Sequence, residues 1–94
     1  MSVSFSNKVI VPSDVLLNTI DGESVILNLV TESYFGLDES ATRMWSALTT
    51  SDSIQRAYET LLTEYEVEAD VLRRDLSNLI EKLLEKGLVK IGES

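Results

Sequence analysis

Apolar positions follow two different rhythms along this chain. Up to about residue 38 they come in short, β-branched runs broken by polar turn residues. From there to about residue 87 they recur every three or four positions. The first rhythm is that of strands and the second that of helices. Strands followed by helices make an α+β chain.

In "DVLLNTIDGESVILNLV" the pair Asp21-Gly22 separates two β-prone runs. A two-residue type I′ turn needs φ > 0 at both central positions, which Asp-Gly tolerates, so a hairpin is expected with strands near 15–20 and 23–30. In the second strand Val25, Leu27 and Leu29 alternate with Ile26, Asn28 and Val30. Asn28 marks the wetter face, so Val25, Leu27 and Leu29 are expected to face the core. "TES" at 31–33 makes a second tight connection and "YFGL" at 34–37 a third strand. There Phe35 and Leu37 are expected on the core side beside Leu27 and Leu29, with Tyr34 and Gly36 opposite. The earlier patch "KVIVP" at 8–12 either pairs with a strand or lies on the core, and Pro12 confines it to an edge or a strand end.

Asp38 precedes "ESATRMWSAL" as a short polar N-cap ahead of a helical pattern of Ala41, Met44, Trp45 and Leu48. Trp45 is expected in the core. Ser51 or Asp52 then caps a second helix over about 52–64, with a buried stripe of Ile54, Ala57, Tyr58, Leu61 and Leu62 and with Tyr65 closing it. A third helix is expected over about 69–86. Gly87 stands where a left-handed C′ residue belongs, and Leu88 is placed to fold back on Leu83 or Leu84. "LVKI" at 88–91 offers a last short strand, and the closing "GES" is expected to fray. In the third helix Leu72, Leu76, Leu79 and Leu83 cluster on one side, and Ile80 and Leu84 widen that stripe toward Arg73 and Ser77. A stripe this wide either covers one more neighbour in a small core or lines a groove along one flank.

Composition narrows the functions open to such a chain. Its 94 residues suit one domain. There is no cysteine and no histidine, which removes disulfides, thiolate chemistry, Cys/His zinc sites and the commonest general base. The absence of cysteine fits a reducing cytoplasm. "MSVSFSNKVIVPSD" lacks a basic region followed by an apolar core, and no apolar run approaches the roughly 20 residues of a membrane span. No signal or membrane anchor is therefore expected, and the location expected is cytoplasmic. The formal net charge of −8 opposes binding to nucleic acid or anionic membranes and leaves peptide or protein partners open, above all basic ones. The acidic runs "DESATR" and "EYEVEAD" are spaced like solvated faces, without EF-hand spacing. No phosphate loop, nucleophile elbow or dinucleotide fingerprint is present. Neither an enzyme, a cofactor nor a metal site is expected.

Strands followed by three helices give the element order of a winged helix-turn-helix-like fold with its sheet first. Taken on fold alone, a DNA-binding regulator is the alternative function, which the charge opposes. In "ILNLVTESYFGLDESATRMWSAL" a Leu-x-Leu strand leads through a polar turn to an aromatic pair, then x-Leu-Asp, a small residue and a tryptophan. Leu29, Tyr34, Phe35, Leu37, Asp38, Ala41, Met44 and Trp45 carry this pattern; Ala57, Leu61, Tyr65, Val67, Asp75, Leu79, Leu83 and Gly87-Leu88-Val89 continue it. The set resembles the PqqD family, whose members recognise precursor peptides in the biosynthesis of ribosomally made, modified peptides; the resemblance covers about residues 8–91 and implies a single such domain over 1–94. Three positions depart from the family pattern: Ser33 replaces a turn glycine, Phe35 a second tyrosine and Asp38 an asparagine.

The resemblance implies a non-catalytic protein that takes the leader segment of a precursor peptide as an extra strand on 34–37. The guest would lie in the groove against the helix 69–86 and be presented to a modifying enzyme, such as a leader peptidase or a radical-SAM enzyme. At this length the chain is similar to the discrete leader-binding proteins of lasso-peptide systems. The residues so implied in binding are Ser33, Tyr34, Phe35, Gly36 and Leu37 on the strand, and Arg73, Leu76, Ser77, Ile80 and Leu84 on the helix. Phe35, Leu37 and Leu76 are equally readable as plain core. Gly36 would let a guest backbone come close. Phe35→Pro is expected to remove binding and spare the fold.

Overall fold

The computed structural model describes residues 3–93. In chain order its elements are β1 (Asn7–Ile10), β2 (Val15–Ile20), β3 (Glu23–Asn28), β4 (Tyr34–Leu37), α1 (Glu39–Thr50), α2 (Ile54–Glu64), α3 (Ala69–Glu85) and β5 (Lys90–Glu93). The α+β class is as expected, with strands ahead of three helices. Strands β2, β3 and β4 form an antiparallel sheet in that order. The patch at 8–12 does find a partner, because β1 and β5 pair antiparallel as a separate ribbon. Gly92 and Glu93 are therefore held in β5 rather than frayed; Ser94 lies outside the described residues.

The local signals act as their chemistry requires. Asp21 (φ 55) and Gly22 (φ 84) both take the left-handed region, as the β2–β3 hairpin turn demands. Asp38 caps α1 by accepting from the Ala41 N–H at 2.8 Å. The cap of α2 is Ser53, not Ser51 or Asp52: its hydroxyl accepts from the Arg56 N–H, and the helix begins at Ile54. A cap must sit one residue before the first helical turn, so the later start of α2 moves the role to Ser53. At the end of α3, Gly87 (φ 70) lets the Leu88 N–H reach the Leu83 carbonyl at 2.9 Å and the Gly87 N–H reach Leu84 at 3.1 Å. This pair of bonds is the Schellman ending.

The hairpin turns a different face inward from the one expected. Ile26 is fully buried, with Ser24 and Asn28 beside it on the core side, whereas Val25, Leu27 and Leu29 are 47%, 37% and 54% exposed. The reason is Asn28. Its side chain is not a mark of solvent but an internal connector: Oδ1 accepts from the Val30 and Thr31 N–H groups at 2.9 and 3.1 Å, and Nδ2 donates to the Gly87 carbonyl at 3.0 Å. A buried amide with its bonds made costs little, so it can replace an apolar residue on the core face. The same bonds shape the β3–β4 connection, where Glu32 (φ 60) and not Ser33 takes the left-handed conformation.

Asn28→Ala is expected to destabilise the fold by about 2–3 kcal/mol, because three backbone groups lose a partner in a half-buried place. Urea unfolding measures this as a lower midpoint with unchanged slope.

The three helices close the core around Leu48, Ile54, Leu61, Leu76, Ile80 and Leu83, and Trp45 is buried with them as expected. Arg43 on α1 pairs with Glu64 on α2. That pair lies at the surface, so its contribution to stability is small.

Candidate functional site

The strand β4 has one paired side and one open side, and the register says which groups are free. Its partners on β3 are Tyr34 with Leu27, Phe35 with Ile26, Gly36 with Val25 and Leu37 with Ser24. One step further, the Asn28 N–H donates to the Ser33 carbonyl at 2.8 Å. Bonded and non-bonded pairs alternate along an antiparallel ladder. Phe35 and Leu37 therefore turn their backbone groups toward β3, and Tyr34 and Gly36 turn theirs outward, to the open edge. Side chains alternate as well. Leu37 is buried and Phe35 half-buried on the core side, as expected, but their neighbours across the ladder are Ser24 and Ile26. Tyr34 and Gly36 lie on the outer face.

Beside this edge runs a groove of about 410 Å³, between β4, the start of α1 and α3. Phe35 and Gly36 line one wall, Ala41 and Met44 the floor toward α1, and Asp75, Asn78, Leu79 and Lys82 the α3 wall. Those four stand at i, i+3, i+4 and i+7, which is one stripe of a helix. Asp38 and Asp75 make the α1 end of the groove acidic. At its other end a smaller hollow joins Glu32 to Gly36 with Lys86, whose Nζ lies 6.0 Å from the centre of the Phe35 ring. The groove thus has an apolar middle, an acidic α1 end, and lysines (Lys82 and Lys86) beside Glu32 toward the other end, an uneven charge that can orient a guest chain.

The structure brings Ser33, Tyr34, Phe35 and Gly36 to this place and leaves Leu37 as core behind it. It turns the helix residues named from sequence away from it. Leu76 and Ile80 are fully buried, with 0% exposure each. The Arg73 guanidinium lies 4.0 Å over the Phe5 ring and 5.8 Å from Tyr58, whose rings meet edge to face. Ser77 shares that flank by helical spacing. Leu84 lines a different hollow, with Val3, Asn7 and Ile91. The far side of the wide α3 stripe meets the N-terminal segment, where Arg73 lies over Phe5 and Leu84 faces Val3 and Ile91 across the hollow. The flank facing β4 is the polar one, so apolar spacing could not reveal Asn78 and Lys82.

Gly36 is not demanded by the fold. Its φ is not in the left-handed region, and a Cβ placed there meets nothing within 4 Å. Gly36→Thr is expected to stabilise the unbound protein by about 0.5–1 kcal/mol, since Thr favours an extended backbone. Thermal unfolding reads this as a rise in Tm.

Residues 23–89 match the family described as coenzyme PQQ synthesis protein D (PqqD), and that span holds β3, the open strand and all three helices. The chain belongs to this family. Among solved structures it is similar to one described as TbiB1 in complex with the TbiA(beta) leader peptide. The identity is 32%, over 86% of this chain and 94% of that one, with a TM-score of 0.79. It also shares its fold with lasso peptide synthetase B1 complexed with the leader peptide, at 24% identity over 88% of this chain and 98% of that one, with a TM-score of 0.77. No protein of curated function matches the sequence.

Proposed function

We propose that this protein binds the leader segment of a ribosomally made precursor peptide and presents it to a modifying enzyme, itself doing no chemistry. The leader adds as a strand to the open edge of β4 and lies in the groove against α3. The observation that carries this reading is the outward-facing backbone of Tyr34 and Gly36 above an apolar-floored groove. Such an edge is unsatisfied until another strand pairs with it. The solved structure at 32% identity, itself a complex with a leader peptide, supports the reading. A sequence without histidine or cysteine agrees with a role in binding alone.

In an antiparallel pairing, guest residues opposite Tyr34 and Gly36 exchange hydrogen bonds with them. The guest residue opposite Phe35 shares its face and projects over the groove toward Leu79 and Met44. Specificity then resides in alternate guest residues, and affinity in the backbone. No helix of the described residues is long and apolar enough to cross a membrane.

An NMR titration with the leader of the precursor encoded beside this gene tests the proposal. Amide signals of 33–37, Asn78, Leu79 and Lys82 are expected to move. Signals that stay in place at millimolar peptide would sink it.

A further inference from the structure

We infer that the outer face of the β2–β3–β4 sheet is a second docking surface, and that it receives the modifying enzyme through an apolar patch flanked by Lys and Arg. The inference rests on the leader-binding reading for the identity of the partner, but on side chains of the outer face, of which only Tyr34 also lends its backbone to the leader edge. The register places Leu16, Leu27 and Tyr34 side by side across the three strands on this face, with Val25 and Ile20 further along it. All five are exposed, Ile20 at 67% and Tyr34 at 70%. A contiguous apolar sheet face of this kind marks an interaction site.

The ends of the face are acidic. Asp14 and Glu32 stand at one end of the strands, Asp21 and Glu23 at the other, and all four are exposed. No lysine or arginine occurs between Lys8 and Arg43, so these strands themselves carry acids alone, and Lys86 comes near them at the Glu32 hollow beside the groove. Six residues of β2 span roughly 20 Å, which sets the separation of the two acidic ends. The matching partner surface is therefore apolar at its centre, with cations about 20 Å apart. Two copies of this chain stacked face to face would bring acid against acid, and anionic lipid or nucleic acid would be repelled in the same way. The leader strand occupies the edge of β4 and the groove on the core side of the sheet. The outer face stays open beside it, so both partners can be held at once.

Two separate measurements on the full chain test this. Binding of the modifying enzyme encoded with the precursor is followed by biolayer interferometry, and binding of the leader peptide by fluorescence anisotropy. Leu27→Thr and Ile20→Thr, and separately Glu23→Lys with Asp14→Lys, are expected to weaken enzyme binding about tenfold or more while leader affinity stays within about threefold. Enzyme binding is also expected to weaken as salt rises. Unchanged enzyme affinity in both sets of variants overturns the inference, as does a parallel loss of leader affinity. So does a wild-type chain that sediments as a dimer and that Leu27→Thr returns to monomer. Where a threonine variant loses stability in urea, the charge variants decide. An enzyme that binds a chain to which the leader does not would leave this surface standing and remove the groove reading instead.

Discussion

Gly36→Pro is expected to weaken the proposed leader binding at least about fivefold and to leave the chain folded, whereas Phe35→Pro is expected to weaken the fold first. The difference is one residue of register. The Gly36 N–H points to the open edge, where proline is tolerated in a sheet. Its loss costs the unbound protein no ladder bond but leaves a guest carbonyl without a donor. An unpaired carbonyl of this kind costs about 1–3 kcal/mol, or about 5- to 150-fold in affinity, before any clash with the ring is counted. The Phe35 N–H faces Ile26 inside the hairpin, so proline there breaks the β3–β4 ladder. The expectation that Phe35→Pro would spare the fold is thus corrected by the register. Isothermal titration calorimetry with the leader, alongside urea unfolding, separates the two variants. Equal loss of binding with equal stability would contradict the assignment of the edge.

The second large effect concerns α3. Leu76→Ala and Ile80→Ala each lower stability by about 2–5 kcal/mol, because both side chains are fully enclosed and the holes they leave cannot collapse completely. For a chain of this size the whole stability is about 5–15 kcal/mol, so either change removes a large fraction of it. The affinity of the folded fraction for the leader is expected to hold. Lys82→Glu behaves in the opposite way: Lys82 lines the groove from the surface, so the substitution changes leader affinity and its salt dependence while the urea midpoint barely moves. Measuring both quantities on the three variants distinguishes core from groove.

These two cases also mark what the sequence made legible. Signals whose cause is local were readable: the Asp21-Gly22 turn, the Asp38 cap and the Gly87-Leu88 ending each depend on residues within one turn of themselves. Two features set by distant partners were not. Asn28 looked like a surface residue because its partner, the Gly87 carbonyl, lies 59 positions away, and that single misreading turned the whole hairpin over. On α3 the leucine stripe was plain, but which neighbour covers each flank depended on β5 returning to pair with β1. The open strand was therefore visible in "YFGL", whereas the α3 residues that face it, Asn78, Leu79 and Lys82, lie on a flank that apolar spacing does not mark.

The bond from Asn28 to Gly87 has a further consequence, in the order of folding events. The hairpin and the helical turns form from contacts close in sequence, and such contacts form early. The groove between β4 and α3 likewise joins segments far apart in sequence, Phe35–Gly36 and Asp75–Lys82, so it is expected to be among the last features completed and, on opening, among the first lost. On the proposed reading, recognition of a leader would be a built-in check on maturation: a chain that has folded each half but not latched them together would display an ordinary hairpin and hold no peptide.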